Sequence, residues 1–353
     1  MVTVALVGFG LSGRYLQAPF FDVNPNFKLK TVVTNNQNPQ DIFPSVQKVS
    51  TLEAVLADAE IDLVSICSPN ATHVDYTKKC LLAGKHVLVE KPFAPTLAVA
   101  QELVNLAKKQ GKHLFIFQNR RFDSDFMTVK KVIESGILGK IHTYQAHWNR
   151  YKPLPNPKKW KEIVAPASGI IYDLGSHIID QTIALLGGSF SSNNPNVLLH
   201  TQGQTFTQRE NSTIDDAFNI RLDYNDIKIT LTGSLMVRGE LPRYIVHGSK
   251  GSFIKYGIDV QEDHAKAGIL PNDPNFGIEA PQYFGTLTTD LNGLAVQGKV
   301  ETERGNWAIL FQNIYEVITQ NKEPLIKNED VLTQIKIIEA VKTEKYGAKA
   351  PSS

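Results

Sequence analysis

The residues best suited to chemistry lie where predicted strands end. The buried-strand pattern Val-Leu-Val at residues 87–89 gives way to Glu-Lys-Pro at residues 90–92. Ligands bind at the carboxyl edge of an α/β sheet, so Lys91 could hydrogen-bond a substrate hydroxyl and stabilise alkoxide character as a hydride leaves. The alternative is a lysine that extends from the strand end into solvent.

A glycine-rich turn opens the chain. Residues 8–13 (GFGLSG) follow the apolar strand pattern at residues 2–7 and precede a helix pattern. Gly8 permits a tight turn, Gly10 lets a pyrophosphate approach the backbone, and Gly13 lets the helix pack close to the strand. The helix N-terminus offers unpaired N–H groups to phosphates. In this context the turn predicts dinucleotide binding.

The end of the second strand bears on which dinucleotide is used. An NAD site usually has Asp or Glu there for the ribose hydroxyls, whereas this strand ends in Thr34, Asn35 and Asn36. No carboxylate repels a ribose phosphate, although no arginine clamps it either. The local chemistry favours NADP, with NAD possible, and the alternative is a polar loop without selectivity.

The turn after the strand pattern at 62–67 carries Ser68, Pro69 and Asn70. A turn with a proline and hydroxyl groups at the carboxyl end of a sheet suits contacts to the nicotinamide ribose. His73 follows in the same segment, and it could equally be a surface residue of a helix.

A second catalytic candidate lies in the segment at residues 168–177. Asp173 and His177 are four residues apart, so a helix would place both on one face. An imidazole in a cleft could exchange a proton with a hydroxyl or carbonyl group, and the carboxylate could bind a substrate hydroxyl or orient the histidine. Spacing alone favours the alternative, in which Asp173 opposes the helix dipole and His177 is a core residue.

Other polar clusters carry less information. Asn119 and Arg120 lie near the predicted domain junction and could bridge cofactor and substrate, or belong to a structural ion-pair network. Tyr151 ends a strand, and the loop after it, with Trp160, could cover a pocket. For most of that loop a solvated surface is the simpler interpretation.

The elements that must position these residues follow an α/β pattern up to about residue 117. Short apolar runs at 2–7, 28–34, 62–67, 86–89 and 113–117 alternate with helix patterns, which predicts a Rossmann-type doubly wound parallel sheet. Later strand patterns without helices between them, at 196–256, predict an α+β domain with a large open, mainly antiparallel sheet. Two amphipathic helices near 305–320 and 329–345 end the chain. We therefore predict domains at 1–118 and 119–353, and the last helix could pack back on the first domain.

Several helix ends are marked in the sequence. Ser50 and Glu53 form a possible capping box, and Thr72 could cap the helix that stops at Gly84. Thr96 should cap a helix over residues 97–110, with Gly111 as its C-terminal stop.

Composition limits the class of protein. The chain has 353 residues, 42% of them hydrophobic and 20% charged, with a net charge of +2 and no basic block, which argues against nucleic acid or a membrane surface as the main partner. The apolar runs are too short to span a membrane, and no signal peptide is evident. Cys67 and Cys80 have no metal-ligand spacing. These features predict a cytoplasmic protein without disulfides or metal.

Taken together, these motifs resemble the glucose–fructose oxidoreductase / inositol dehydrogenase / rhizopine-catabolism (Gfo/Idh/MocA) family. The glycine turn, the Glu-Lys-Pro exit and the Asp173…His177 pair carry the general likeness. Residues 172–181 (YDLGSHIIDQ) and 252–263 (SFIKYGIDVQED) are similar to its NADP-dependent scyllo-inositol dehydrogenase branch. One departure is the second strand end, where that branch often has Ser-Arg and this chain has Asn35-Asn36.

The resemblance implies an oxidoreductase that transfers a hydride between nicotinamide and a cyclic polyol or its ketone, such as scyllo-inositol and scyllo-inosose. It implies Lys91, Asp173 and His177 as the catalytic set, and a homodimer or homotetramer formed through the open sheet. The residues expected to bind the cofactor are Gly8, Phe9, Gly10, Leu11, Ser12, Gly13, Thr34, Asn35, Asn36, Ser68, Pro69, Asn70, His73, Glu90, Lys91, Asn119 and Arg120. Those expected to bind the substrate are Lys91, Tyr151, Trp160, Asp173 and His177.

Two other functions remain open. The first is another hydride-transfer enzyme of the same family that acts on a sugar, a dihydrodiol or a different carbonyl compound. The second is a cofactor-binding regulator without turnover, which would have little reason to retain Lys91, Asp173 and His177 together.

Overall fold

The computed structural model describes residues 1–156, 162–187 and 200–343. Contacts between Cα atoms group the chain into two discontinuous units. The first contains Met1–Ser124, Asp259–Ile278 and Arg304–Leu332, and the second contains Asp125–Ile258, Glu279–Glu303 and the described residues from Thr333 onward. This grouping differs from a single cut between residues 118 and 119, and that boundary stays a prediction.

The first unit is built on a six-stranded parallel sheet. Its strands are β1 (Val2–Val7), β2 (Phe27–Val33), β3 (Gln47–Val49), β4 (Leu63–Ile66), β5 (His86–Val89) and β6 (Leu114–Ile116). Their order in the sheet is β3-β2-β1-β4-β5-β6, and every neighbouring pair is parallel. This is the strand order of a doubly wound dinucleotide-binding sheet, as predicted.

The connection between β2 and β3 contains only a 3₁₀ turn, Pro39–Asp41. Helices form the other four connections, because parallel neighbours need a crossover. They are α1 (Ala18–Val23), α2 (Leu52–Ala57), α3 (Asn70–Leu82) and α4 (Leu97–Gln110). The C-terminal part of the chain adds α7 (Gln261–Lys266) and α8 (Ala308–Gln320) to this unit. Phe20 of α1 stacks on Phe311 of α8 with ring centroids 4.9 Å apart, so the later helix shares an aromatic core with the first.

The second unit is built on an eight-stranded mixed sheet. Its strands are β7 (Ile141–Asn149), β8 (His200–Phe206), β9 (Ala217–Tyr224), β10 (Ile227–Ser234), β11 (Tyr244–Gly248), β12 (Gly251–Lys255), β13 (Gly285–Leu291) and β14 (Leu294–Val300). Their order is β14-β13-β12-β11-β7-β10-β9-β8. Among the strands that the structure describes in this sheet, only β7 and β10 pair in parallel, so the prediction of a mainly antiparallel sheet is confirmed.

One face of this sheet packs on helices. Residues alternate along β7, so that Tyr144, Ala146 and Trp148 are buried while their neighbours are partly exposed. The buried face packs against α6 (Ser176–Leu186), together with residues of α5 (Ser124–Glu134) and α9 (Asn328–Thr343). This hydrophobic core holds the segment that carries Asp173 and His177.

Two of the predicted helix caps are wrong. Thr51, not Ser50, occupies the N-cap position of α2, and no side chain caps that helix, so the capping box with Glu53 does not form. Thr72 lies inside α3, which begins at Asn70. Its hydroxyl instead donates to the carbonyl of Pro69, 2.7 Å away.

The other predicted cap is confirmed. Thr96 accepts a hydrogen bond from the backbone N–H of Val99 at the start of α4, and Gly111 ends the helix at φ +60°. No helix in the described ranges is both long and apolar enough to cross a membrane. Cys67 and Cys80 are both free thiols.

Candidate active site

The glycine turn has the geometry that close approach requires. Gly8 adopts φ +96°, which side chains rarely allow, and a Cβ on Gly13 would lie 2.2 Å from the carbonyl oxygen of Gly8. A Cβ on Gly10, by contrast, would meet no atom within 4 Å. Gly13 therefore serves internal packing, whereas Gly10 leaves open space above the backbone.

A hydrogen-bonded network connects this turn to the end of β5. A π-helical segment, Ser12–Gln17, follows the turn. The Ser12 hydroxyl and the Gln17 amide both donate to Oε1 of Glu90, the second at 2.9 Å. The Ser65 hydroxyl, on β4, donates to the side-chain Oε1 of Gln17. The carboxylate of Glu90 thus holds the glycine turn and the Glu-Lys-Pro turn together.

Lys91 lies directly after this anchored glutamate. Its backbone N–H donates to Oε2 of Glu90 at 3.2 Å, and the peptide bond to Pro92 is cis. The Lys91 side chain is partly buried. It begins at the carboxyl edge of the parallel sheet, where the sequence pattern predicted it.

His73 is buried rather than on the surface. Only 1% of the residue is exposed, which excludes the alternative of a surface position. Its Nδ1 lies 2.9 Å from the Pro92 carbonyl oxygen and its Nε2 lies 2.9 Å from that of Ser68. The imidazole therefore connects the Glu-Lys-Pro turn to the turn at residues 68–70, both of which were predicted to contact the cofactor.

The end of β2 opens into a polar cleft. Thr34 and Asn35 line it, whereas Asn36, which is exposed, is not among its lining residues. The backbone N–H of Gly8 donates to the carbonyl of Val33, the last residue of β2, at 3.0 Å. The cleft is therefore adjacent to the glycine turn.

Asn119 and Arg120 occupy different environments. Asn119 is buried, and within the part of the chain that the structure describes its Nδ2 atom has no hydrogen-bond partner. Arg120 is also buried, donates to Asp123 at 3.3 Å and to Glu262, and lies over the Trp307 ring. This is the ion-pair network that the sequence had left open as an alternative.

Each charged group in that network shifts the pKa of its neighbours. Burial alone would lower the pKa of Arg120, but the carboxylates of Asp123 and Glu262 raise it above its ordinary value. Burial would likewise raise the pKa of Glu262, but Arg120 and Lys266 lower it to about 2. These groups remain charged at neutral pH and fix the segment that follows β6.

In the second unit, a π-helical segment precedes α6. It spans Ile171–Gly175, where the sequence predicted an uninterrupted helix from residue 172. Asp215 fixes its start, since its carbonyl accepts from the N–H of Ile170 at 3.1 Å and its Oδ2 from that of Ile171 at 3.3 Å. Asp173 lies within this segment and is exposed. π-Helical turns inside helices are frequent at functional sites.

His177 is buried in the first turn of α6, with 6% of the residue exposed. Its ring packs against Trp148 of β7, with centroids 5.3 Å apart and an interplanar angle of 32°. The guanidinium of Arg243 lies 4.1 Å from the Trp148 centroid and donates through Nε to Asp125 at 3.2 Å. Trp148 of β7 therefore packs on one side of this imidazole, and Arg243, which precedes β11, in turn contacts Trp148.

Sequence reasoning missed these supporting residues. Trp148 follows the period-2 alternation of β7, which predicts burial but not which helical residue it contacts. Gln17 and Ser65 gave no signal, because only the three-dimensional network joins them to Glu90.

Two further residues, Tyr151 and Trp160, were predicted to bind substrate. Tyr151 is 42% exposed and forms an isolated β-bridge with Met236, with Arg238 over its ring. Trp160 lies outside the described residues.

Several features fit a bound dinucleotide. The space above Gly10 would accept a phosphate group, and the buried Nδ2 of Asn119 could donate to a ligand. Both lie at the carboxyl ends of strands of one parallel sheet. The residues of the first unit thus form a suitable site for NAD or NADP.

Comparisons with known families agree with this geometry. Residues 2–118 match the model of an oxidoreductase family with an NAD-binding Rossmann fold. Residues 130–345 match the C-terminal alpha/beta domain of the same oxidoreductase family, Gfo/Idh/MocA. The two matches together cover most of the chain.

Individual relatives match over nearly the whole length. The chain is 36% identical to the scyllo-inositol 2-dehydrogenase (NADP(+)) IolW of Bacillus subtilis, covering 96% of this chain and 92% of the relative. It is 36% identical to the uncharacterized oxidoreductase YhhX of Escherichia coli, with 96% and 95% coverage. The solved structure described as an oxidoreductase, yvaA, from Bacillus subtilis superposes with a TM-score of 0.88 at 35% identity, covering 97% and 96% of the two chains.

Proposed function

The chain belongs to the Gfo/Idh/MocA oxidoreductase family, with an NAD(P)-binding Rossmann domain, and from that premise we propose that it is an NADP(H)-dependent polyol dehydrogenase. Its substrate is the secondary alcohol, or the corresponding ketone, of a cyclic polyol, with scyllo-inositol and scyllo-inosose as the preferred pair. The similarity to IolW supports this substrate class, because it extends over 96% of the chain.

One observation carries the proposal. The anchored turn at residues 90–92 presents Lys91 at the carboxyl edge of a dinucleotide-binding sheet, and Glu90 ties that turn to the glycine turn. A lysine that served only solubility would not require the glutamate before it to be held by hydrogen bonds to the glycine-turn segment. The arrangement fits an amine that must be positioned beside a bound cofactor.

The bound nicotinamide supplies the carbon that accepts a hydride from the substrate carbinol, or donates one in the reverse direction. Oxidation of a secondary alcohol also releases the hydroxyl proton. His177 accepts that proton, since an imidazole titrates near neutral pH, and returns it when the ketone is reduced. Lys91 donates a hydrogen bond to a substrate hydroxyl oxygen and stabilises the negative charge that develops there.

Asp173 has a binding role in this scheme. Its exposed carboxylate can accept hydrogen bonds from a neighbouring hydroxyl of the polyol. Trp148 holds the His177 ring from one side, which limits the orientations in which the imidazole can reach the substrate. A cyclic polyol offers several hydroxyl groups, so one can react while others are held.

The proposal extends to the setting of the enzyme. We expect a Rossmann domain at residues 1–118, a substrate-binding and oligomerisation domain at 119–353, a homodimer or homotetramer, and a cytoplasmic location. The substrate is a small molecule, and neither nucleic acid nor a membrane is required.

Initial rates would test the proposed activity. Purified protein is assayed for reduction of NADP⁺ and NAD⁺ with scyllo-inositol, myo-inositol and a set of aldoses, alongside the Asp173→Asn and His177→Asn variants. We expect NADP-dependent turnover that is highest with scyllo-inositol and strongly reduced in both variants.

Other outcomes would change the assignment. Faster turnover of an aldose would indicate a sugar dehydrogenase of the same family. Tight dinucleotide binding without turnover of any compound in either direction would contradict the enzyme proposal and favour a cofactor-binding regulator.

A further inference from the structure

The cleft at the end of β2 has a polar lining that was only partly evident from the sequence. Its volume is about 500 Å³. The lining consists of Val49, Ala54 and five polar residues, namely Thr34, Asn35, Lys48, Ser50 and Thr51. Three of these polar residues come from β3 and the segment after it, so two neighbouring strands build the cleft.

Strand register explains why these segments meet. β2 and β3 are parallel, with Val32 opposite Lys48 and Val33 opposite Val49. The N–H of Thr34 then donates to the carbonyl of Val49 at 3.0 Å. The two strands therefore end together, and the residues that follow them face a common space.

The cleft also has a defined relation to the glycine turn. Val7 at the end of β1 pairs with Val33, and the N–H of Gly8 donates to the carbonyl of Val33. In a Rossmann fold the pyrophosphate lies at the glycine turn, and the adenosine ribose lies at the end of the second strand. By that rule the cleft at Thr34 and Asn35 is where that ribose, and any phosphate on its 2′-oxygen, would lie.

The charge of the lining distinguishes the two dinucleotides. Lys48 is the cation among the lining residues, and none of those residues is a carboxylate. An NAD site usually has Asp or Glu here, which would accept from the ribose hydroxyls and repel a 2′-phosphate. A lysine amine with hydroxyl and amide neighbours can instead donate to the phosphate oxygens.

We propose that Lys48 binds the 2′-phosphate of NADP and is the residue that makes this protein selective for NADP over NAD. The inference rests on the proposed function, because it assumes that the glycine turn binds a dinucleotide. It accounts for selectivity without an arginine at Asn35 or Asn36, since the cation comes from the neighbouring strand instead. Asn35, Ser50 and Thr51 supply additional hydrogen-bond partners.

Sequence reasoning missed Lys48 for a physical reason. β3 has only three residues and lies at the edge of the sheet, so its sequence has no buried apolar run. Without that strand, Lys48 is one exposed lysine in a loop, and nothing brings it to the end of β2.

Calorimetric titration would test the inference directly, because it measures binding rather than turnover. The wild-type protein, Lys48→Gln and Lys48→Arg are each titrated with NADP⁺, NAD⁺, adenosine 2′,5′-bisphosphate and AMP. Lys28→Gln is the matched control, since Lys28 is an exposed lysine near the opposite end of β2. Thermal unfolding of each variant confirms that it is folded.

We expect Lys48→Gln to weaken binding of NADP⁺ and of the bisphosphate by about 10- to 100-fold, as for a lost charge-assisted hydrogen bond. Binding of NAD⁺ and AMP should change by less than about threefold, and Lys48→Arg should retain most of the NADP⁺ affinity. Added salt should weaken NADP⁺ binding more in the wild type than in Lys48→Gln.

The titrations distinguish a failure of the Lys48 inference from a failure of the proposed function. Suppose that the wild type binds both dinucleotides. If Lys48→Gln then weakens the binding of NADP⁺ and NAD⁺ equally, or weakens the binding of neither, Lys48 does not bind the phosphate, although the proposed function stands. If the wild type binds no dinucleotide, the proposed function fails, and the inference about Lys48 fails with it.

Discussion

The indole of Trp148 lies against the imidazole of His177, with ring centroids 5.3 Å apart. Both rings are buried. The Arg243 guanidinium lies 4.1 Å from the Trp148 centroid and forms an ion pair with the fully buried Asp125. A histidine held in this way loses little rotamer freedom when substrate binds. This tilted ring contact therefore fits a proton-transfer group whose direction is fixed before the reaction.

Replacement of Trp148 should separate orientation from packing. Trp148→Phe keeps an aromatic face and should retain most of kcat, whereas Trp148→Leu removes that face and is smaller. We expect Trp148→Leu to lower kcat by roughly 10- to 100-fold, in line with a misplaced catalytic group. The affinity for NADP⁺ should be unchanged.

The pH dependence of kcat is the readout that a purely structural role would not move. In Trp148→Leu the limb assigned to His177 should shift, and in His177→Asn it should vanish with a loss of about two to four decades in rate. An unaltered profile in Trp148→Leu, with only lower stability, would show that the indole serves the core alone.

Lys91→Met should strongly reduce turnover while the dinucleotide still binds. The expected loss in kcat is about 10²- to 10⁴-fold, because the amine acts on the reacting oxygen in the transition state. The matched control is Lys78→Met, since Lys78 lies on the surface of α3 in an exposed ion pair with Glu102. Near-normal kcat in Lys91→Met would mean that Lys91 merely extends into solvent.

The glycine turn allows packing and binding to be separated. Gly13→Ala would place a Cβ 2.2 Å from the Gly8 carbonyl oxygen, so we expect the free energy of unfolding to fall by about 1–3 kcal/mol. Gly10→Ala meets nothing within 4 Å and should leave stability within about 0.5 kcal/mol, yet weaken dinucleotide binding tenfold or more. Chemical denaturation and calorimetric titration measure the two effects.

Each glycine variant has an outcome that would contradict its prediction. If Gly10→Ala bound NADP⁺ as tightly as the wild type, no phosphate would lie above that residue. A Gly13→Ala variant of normal stability would show that the helix can move away from β1 without cost.

A stacked histidine pair at the amino edge of the first sheet predicts a pH dependence of stability. The rings of His86 and His113 lie 5.1 Å apart, and Nδ1 of His86 accepts from the His113 backbone N–H at 3.0 Å. Burial, and then the neighbouring His113 and Lys112, lower the pKa of His86 from 6.5 to about 4. Between these values the unfolded chain binds a proton that the folded chain does not.

The free energy of unfolding should therefore decrease as pH falls from about 6.5 to about 4, and this contribution should level off below pH 4. His86→Gln cannot titrate, so its stability should vary less steeply with pH in that window. Denaturant unfolding at several pH values measures both slopes. Equal slopes in the two proteins would refute the contribution of His86.

Much of the first unit could be predicted because its signals are local. Buried parallel strands such as β1 and β5 appear as short Val- and Leu-rich runs, and Thr96 with Gly111 marks both ends of α4. The turn at residues 8–13 was informative because it follows β1 directly. In each case neighbouring residues determine the conformation.

The remaining features depend on distant contacts. The π-helical segments at Ser12–Gln17 and Ile171–Gly175 rest on contacts to Glu90 and Asp215, which no local pattern contains. β3 forms because β2 offers it an edge, and it brings Lys48 to the cleft at the end of β2. Sequence reasoning could therefore name candidate residues from their types and motifs, but it could not give the positions of their side chains.

The most direct test of the central claim follows the hydrogen itself. scyllo-Inositol deuterated on its ring carbons is incubated with the protein and NADP⁺, and the NADPH formed is analysed by NMR. We predict deuterium at C4 of the nicotinamide, on one face only, with scyllo-inosose as the other product. NADPH without deuterium, or no NADPH under conditions where the dinucleotide is bound, would contradict hydride transfer from this polyol.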